Sequence, residues 1–96
     1  MVFNWNVAMR AKFELYEFEN NGVIYSLDGH VDVERMSFFG GNYEGYDFEV
    51  VSDDECTVHI DKLFAIDKGE PICMMQNEHA LDLAKEWMLN NYNERL

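Results

Sequence analysis

The chain has 96 residues, 48% of them hydrophobic and 15% aromatic, enough for one packed domain over residues 1–96 with a radius of gyration of about 12 to 13 Å. Nineteen acids against seven bases give a net charge of −12. That excess argues against direct binding to DNA, RNA or an anionic membrane, which is built on Lys and Arg, and makes a basic protein surface the natural partner.

The first residues, Met1 to Arg10, lack a positive segment ahead of an apolar run, and nowhere do 18 apolar residues stand together, so a soluble cytoplasmic protein is expected. Trp5, Ala8, Met9, Phe13 and Tyr16 recur at helical spacing, yet residues 4–12 fit a strand as well, and both readings stay open. Asn21-Gly22, between Leu15–Glu19 and Val23–Leu27, predicts a two-residue hairpin with Phe18 opposite Tyr25 and Glu19 opposite Ile24. Leu27-Asp28-Gly29 predicts a second turn that sets Tyr25 against Val31 and Val23 against Val33.

Gly40 to Gly45 have the G-x-x-x-x-G spacing of a phosphate loop, but Tyr46 and Asp47 stand where Lys and Ser or Thr are required, and Glu44 would repel a phosphate. The glycines instead let the chain turn between a strand ending near Phe39 and one starting near Tyr46. Phe38, Phe39, Tyr43 and Tyr46 lie around that turn, and Asn42, Tyr43 and Glu44 are expected to touch a partner. Ser52-Asp53-Asp54 predicts a further turn, with Phe48 opposite Val58 and Tyr46 opposite Ile60; Asp67-Lys68-Gly69 predicts another, with Phe64 opposite Ile72. From Asn77 the period changes to 3.6: Asn77 is a cap, Glu78 suits the first turn, and Ala80, Leu81, Ala84, Trp87 and Met88 form one stripe. The expected fold is α+β, an antiparallel meander sheet of five to six strands with a C-terminal helix packed on one face.

If Phe18, Tyr25, Val31, Val33, Tyr46, Phe48, Val58 and Ile60 face that helix, then Glu17, Glu19, Asp32, Glu34, Asp47, Glu49, Glu55 and Asp61 point away from it. In this register the outward face carries no Lys or Arg, and from Met36 to Asp61 the chain has seven acids and no base. Like charges opposite one another destabilise a sheet, so a face of one sign suggests binding as well as solvation. The expected contacts are these eight carboxylates together with Asn42, Tyr43, Glu44, Asp53 and Asp54, set against a basic surface of a nucleic-acid-binding protein. In charge and size the chain is similar to the small phage-encoded proteins that mimic nucleic acid and block restriction or CRISPR enzymes. That likeness implies an inhibitor. The alternative is a self-associating or adaptor module, a homodimer included, that uses a sheet edge and exposed aromatics.

Catalysis and cofactors are not expected. Cys56-x-x-His59 has half the spacing of a zinc site, but the odd offset puts the two side chains on opposite faces of a strand, and His30, Cys73 and His79 supply no second pair. Cys56 and Cys73 fall in the apolar phase, where cysteine behaves as a small buried hydrophobe, and two cysteines fit a reduced protein as well as one disulfide. No G-x-S-x-G, H-E-x-x-H or calcium-loop order occurs. His59 is expected across from Asp47, a pairing that would favour its protonated form.

Overall fold

The computed structural model describes the backbone of residues 2–42 and 47–96, and the side chains of residues 6–36 and 53–96. Four strands, β1 (Val2–Asn20), β2 (Val23–Asn42), β3 (Asp47–Asp67) and β4 (Glu70–Cys73), form one antiparallel sheet in the order β1-β2-β3-β4. The helix α1 (Glu78–Asn91) and a 3-10 turn (Tyr92–Arg95) follow. The fold is therefore an α+β meander with a C-terminal helix, and its sheet has four strands where five to six were expected.

Two of the four expected turns exist. Asn21-Gly22 and Lys68-Gly69 both have positive φ at both residues, the left-handed pair that matches strand twist in a two-residue hairpin. Phe18 pairs with Tyr25 and Glu19 with Ile24, as the spacing predicts. The second turn uses two residues rather than three, so Phe64 faces Cys73 and Ala65 faces Ile72 instead of Phe64 facing Ile72.

The other two turn signals are absorbed into the ladder. Leu27-Asp28-Gly29 is mid-strand, with Leu27 opposite Leu63 and Gly29 opposite both Phe13 and Ile60. Tyr25 accordingly does not pair with Val31, nor Val23 with Val33. Ser52-Asp53-Asp54 also lies inside a strand, with Asp53 opposite Met36, so Phe48 pairs with Gly41 and Val58 with Val31. Gly-containing and Asp-rich stretches need not turn where a bulge or an ion pair can hold them. Residues 4–12 are strand: Ala11 and Phe13 alternate inward at period two.

Both neighbours of β2 carry an extra residue at the same level. On β1 the register shifts between Phe13 and Tyr16, and on β3 it shifts across from Asp28 and Gly29, leaving Asp61 unopposed. Leu15 takes a φ of 48° there, and its N–H donates to Asp28 Oδ1 at 2.6 Å. Gly29 fits this crossing because a Cβ on it would overlap the His59 carbonyl. Each shift restores the inward phase, so Phe13 gives way to Tyr16 and Phe18, and Ile60 to Leu63 and Ala65.

The core lies between the sheet and α1. Phe13, Phe18, Leu27, Val31, Val33, Leu63, Ala80, Ala84 and Met88 are buried, with Tyr25, Val58, Ile60, Leu81 and Trp87 packed against them. This bears out the inward set and the helix stripe; Tyr46 and the side chain of Phe48 lie outside the described residues. Asn77 caps α1, its Oδ1 accepting from the Ala80 N–H at 3.1 Å. Trp87 stacks on Phe18 with centroids 4.9 Å apart and donates its indole N–H to the Tyr16 hydroxyl at 3.1 Å.

A helix of 14 residues is about 21 Å long, whereas strands of about 20 residues run to roughly 66 Å. The molecule is accordingly elongated, 64 × 22 × 20 Å with a radius of gyration of 18.2 Å, not the 12 to 13 Å expected for a globule of this length. Among the described residues the buried strand set ends at Val33, while the strand pairing continues to Val2↔Gly40 and Asn42↔Asp47. These rungs form a three-stranded ribbon beyond the helix.

Candidate functional site: the outward face of the sheet

Strand register arranges the outward side chains in rungs across β1, β2 and β3. One rung is Ala8, Glu34 and Glu55; the next is Arg10, Asp32 and Thr57; the third is Lys12, His30 and His59. Glu34 and Glu55 are therefore directly opposite one another, both exposed, with only Ala8 across from Glu34 on the other side. Such a pair is unfavourable for the sheet by roughly 0.2–1 kcal/mol.

The sequence pattern implied a face without Lys or Arg, and the structure places bases on it. With residues 4–12 as a strand, Arg10 and Lys12 join it. The Arg10 guanidinium grips Asp32, Nε to Oδ1 at 2.7 Å and Nη2 to Oδ2 at 3.3 Å, and holds that carboxyl below its ordinary range. A groove of about 440 Å³ runs beside this pair, lined in part by Ala8, Arg10, Asp32, Glu34, Glu55 and Thr57.

Of the other expected contacts, Glu17, Glu19, Asp53 and Asp61 are exposed. Asp61 is the unopposed residue of the β3 bulge. Asn42, Asp47 and Glu49 are strand positions whose side chains lie outside the described residues, as do Tyr43 and Glu44 altogether. Beyond the bulge the outward phase of β3 passes to Lys62, Phe64 and Ile66, so toward the hairpin end Phe64 and Ile66 share rungs with Glu17 and Glu19 of β1.

Asp54 does not share the outward face. Its strand phase puts it on the helix side, where Arg35 donates Nε to Oδ1 at 2.8 Å and Nη2 to Oδ2 at 3.0 Å, and the Tyr92 hydroxyl donates to Oδ2. Arg35 Nη2 also reaches Asn93 Oδ1 at 2.9 Å. The guanidinium first, then the phenol, lower the Asp54 pKa to about 2, and the carboxylate in turn raises that of Tyr92. This cluster ties the 3-10 turn to the last covered rung and places Asp54 on the helix side, away from the outward acids.

His59 is also placed differently. It pairs with His30, not Asp47, because β3 runs through Ser52–Asp54 without turning. Their rings lie with centroids 4.7 Å apart, and each Nε2 is 3.7 Å from Asp32 Oδ2. Cys56 and His59 do fall on opposite faces, Cys56 packing on the core, and both cysteines are free thiols. His30 and Asp32 share a face at an offset of two, a signal present in the sequence; Arg10 arrives beside them through the β1 bulge, and His59 because β3 continues straight through Ser52–Asp54.

No helix among the described residues is long and apolar enough to cross a membrane. The chain matches no protein family, no curated protein and no solved structure.

Proposed function

We propose that this is a non-catalytic acidic binding protein whose outward sheet face and projecting ribbon occupy a basic, nucleic-acid-binding surface of a partner protein, as an inhibitor that mimics nucleic acid would. The opposed, exposed Glu34–Glu55 pair carries this reading: it costs the sheet stability and is relieved by an incoming cation. The distribution of charge supports it, since the seven bases all lie outside residues 36–61, where seven acids stand. So does the shape. A rod about 64 Å long and 20 Å wide suits a cleft made for a duplex, although 12 net charges over that length, about one per 5 Å, are sparser than the one per roughly 1.7 Å of duplex DNA. A block on restriction or CRISPR enzymes, of the kind phages encode, is one form this function would take.

The test is a low-salt pull-down eluted with a salt gradient, run beside the Glu34→Lys/Asp53→Lys/Glu55→Lys variant. The expected result is a basic nucleic-acid-binding protein that leaves as salt rises, is displaced by duplex DNA and is not retained by the variant. A partner held equally by the reversed variant overturns the proposal.

A second reading, self-association, is favoured by one observation. β1 is an edge strand along its whole length, and Val2–Met9 contain no charged residue, with Val7 exposed. On this reading the protein sediments as a dimer through moderate salt and Val7→Lys returns it to a monomer.

A further inference from the structure

The geometry points to a binding site for one divalent transition-metal ion of the zinc class, formed by His30, His59 and Asp32 on the outward face. One ligand atom from each of these residues lies within 4.8 Å of the others, and both His Nε2–Asp32 Oδ2 separations are 3.7 Å. Those separations exceed the 2.7–3.2 Å or so of a hydrogen bond. They are close to the spacing of about 3.3 Å between neighbouring ligands that tetrahedral bonds of 2.0–2.1 Å impose. Three polar groups thus converge around a gap without closing it by direct bonding to one another.

Two features make the cluster more than a chance meeting of side chains. The histidines sit on directly opposed positions of a continuous ladder, next to the crossing where Gly29 meets the His59 carbonyl, so their Cα positions are fixed by backbone pairing. Asp32 is oriented from behind, because Arg10 Nε takes Oδ1 at 2.7 Å while Oδ2 is turned to the imidazoles. Orienting a ligating carboxylate through its other oxygen is a recurrent arrangement around metals. Arg10 and the cross-strand Lys12 also bring positive charge, which limits affinity, and Nη2 of Arg10 at 3.3 Å competes for Oδ2. Two neutral imidazoles and one carboxylate suit zinc, nickel or copper over magnesium or calcium, and solvent would complete the coordination. The side chains are accessible, His59 half exposed.

Zinc chloride titrated into the full-length protein by calorimetry, with cobalt(II) absorption as a geometric probe, tests the site. One ion bound per chain is expected, with tetrahedral cobalt bands, a raised melting temperature, and an affinity that falls tenfold or more in His59→Gln. His79→Gln, on the exposed side of α1, should bind as the parent does. Folded His59→Gln or His30→Gln proteins that bind zinc as tightly as the parent would overturn the site, because the nineteen acids would then account for the binding. Absence of one-to-one binding at millimolar zinc would overturn it equally.

Discussion

The covered half of the sheet and the ribbon beyond it are made from the same three strands, yet they are built for different ends. In the covered half apolar side chains pack beneath the helix, Arg35 pairs with Asp54 on that side and Arg10 with Asp32 on the outward one, and two bulges keep the apolar phase aligned. In the ribbon, residues 2–8, 36–42 and 47–53, there is no base, and three acids stand in the β3 portion. The first half supplies stability that the second does not, which frees the ribbon and the adjoining Glu34–Glu55 rung to hold charges that folding alone would not select.

Substitutions should separate the halves. Gly29→Ala is expected to have the largest effect, a loss of about 3 kcal/mol or more in urea unfolding, because the backbone around His59 must move. Met88→Ala, in a fully buried site, should cost about 2–4 kcal/mol. Asp54→Asn should cost about 1–2 kcal/mol at pH 7 by removing the charge that Arg35 and Tyr92 hold. The sign follows from the lowered pKa: the stabilisation is complete well above the unfolded value of 3.8 and is lost as pH falls toward about 2. A parent protein whose stability is flat from pH 5 to 2, or a variant that retains the parent's slope, would contradict it. At the small end, Glu34→Gln should raise stability by a few tenths of a kcal/mol by relieving Glu55, while weakening partner binding and its salt dependence. A ribbon substitution such as Asp53→Lys that destabilised as much as Met88→Ala would erase the distinction between the halves.

Much of the covered half was legible in the sequence. The Asn21-Gly22 turn, the Phe18–Tyr25 pair, the Asn77 cap and the Ala80–Met88 stripe all depend on local chemistry, and each stands where the residues put it. What local chemistry could not supply was strand length. Asp28-Gly29 has turn residues, but its Asp side chain binds the Leu15 N–H and its Gly admits a neighbouring backbone, so the same residues serve a bulge. Asp53-Asp54 reads as a turn until Arg35, nineteen residues away, is placed beside Asp54. Asp32, Glu34 and Glu55 were readable as outward from alternation. Arg10 and the paired histidines were not, because Arg10 is placed by a register shift that no single-strand pattern contains, and His59 by the straight run of β3 through residues that read as a turn.

Gly29 has a further consequence for how strands this long find one alignment. Strands usually run about 5–6 residues, and β1, β2 and β3 have 19, 20 and 21. A plain ladder of that length offers many near-equivalent slipped pairings, each a trap during folding. Beside Gly29 both neighbouring strands carry their extra residue at the same level of β2, and a Cβ there would overlap the His59 carbonyl of β3. Slipping β3 by one position would bring the side chain of Asp28 or His30 to that place. The glycine thus acts as a vernier mark for the β2–β3 pairing, and the signature of its loss would be a mixture of slowly exchanging registers, seen as doubled amide resonances along β2, as well as a lower melting temperature.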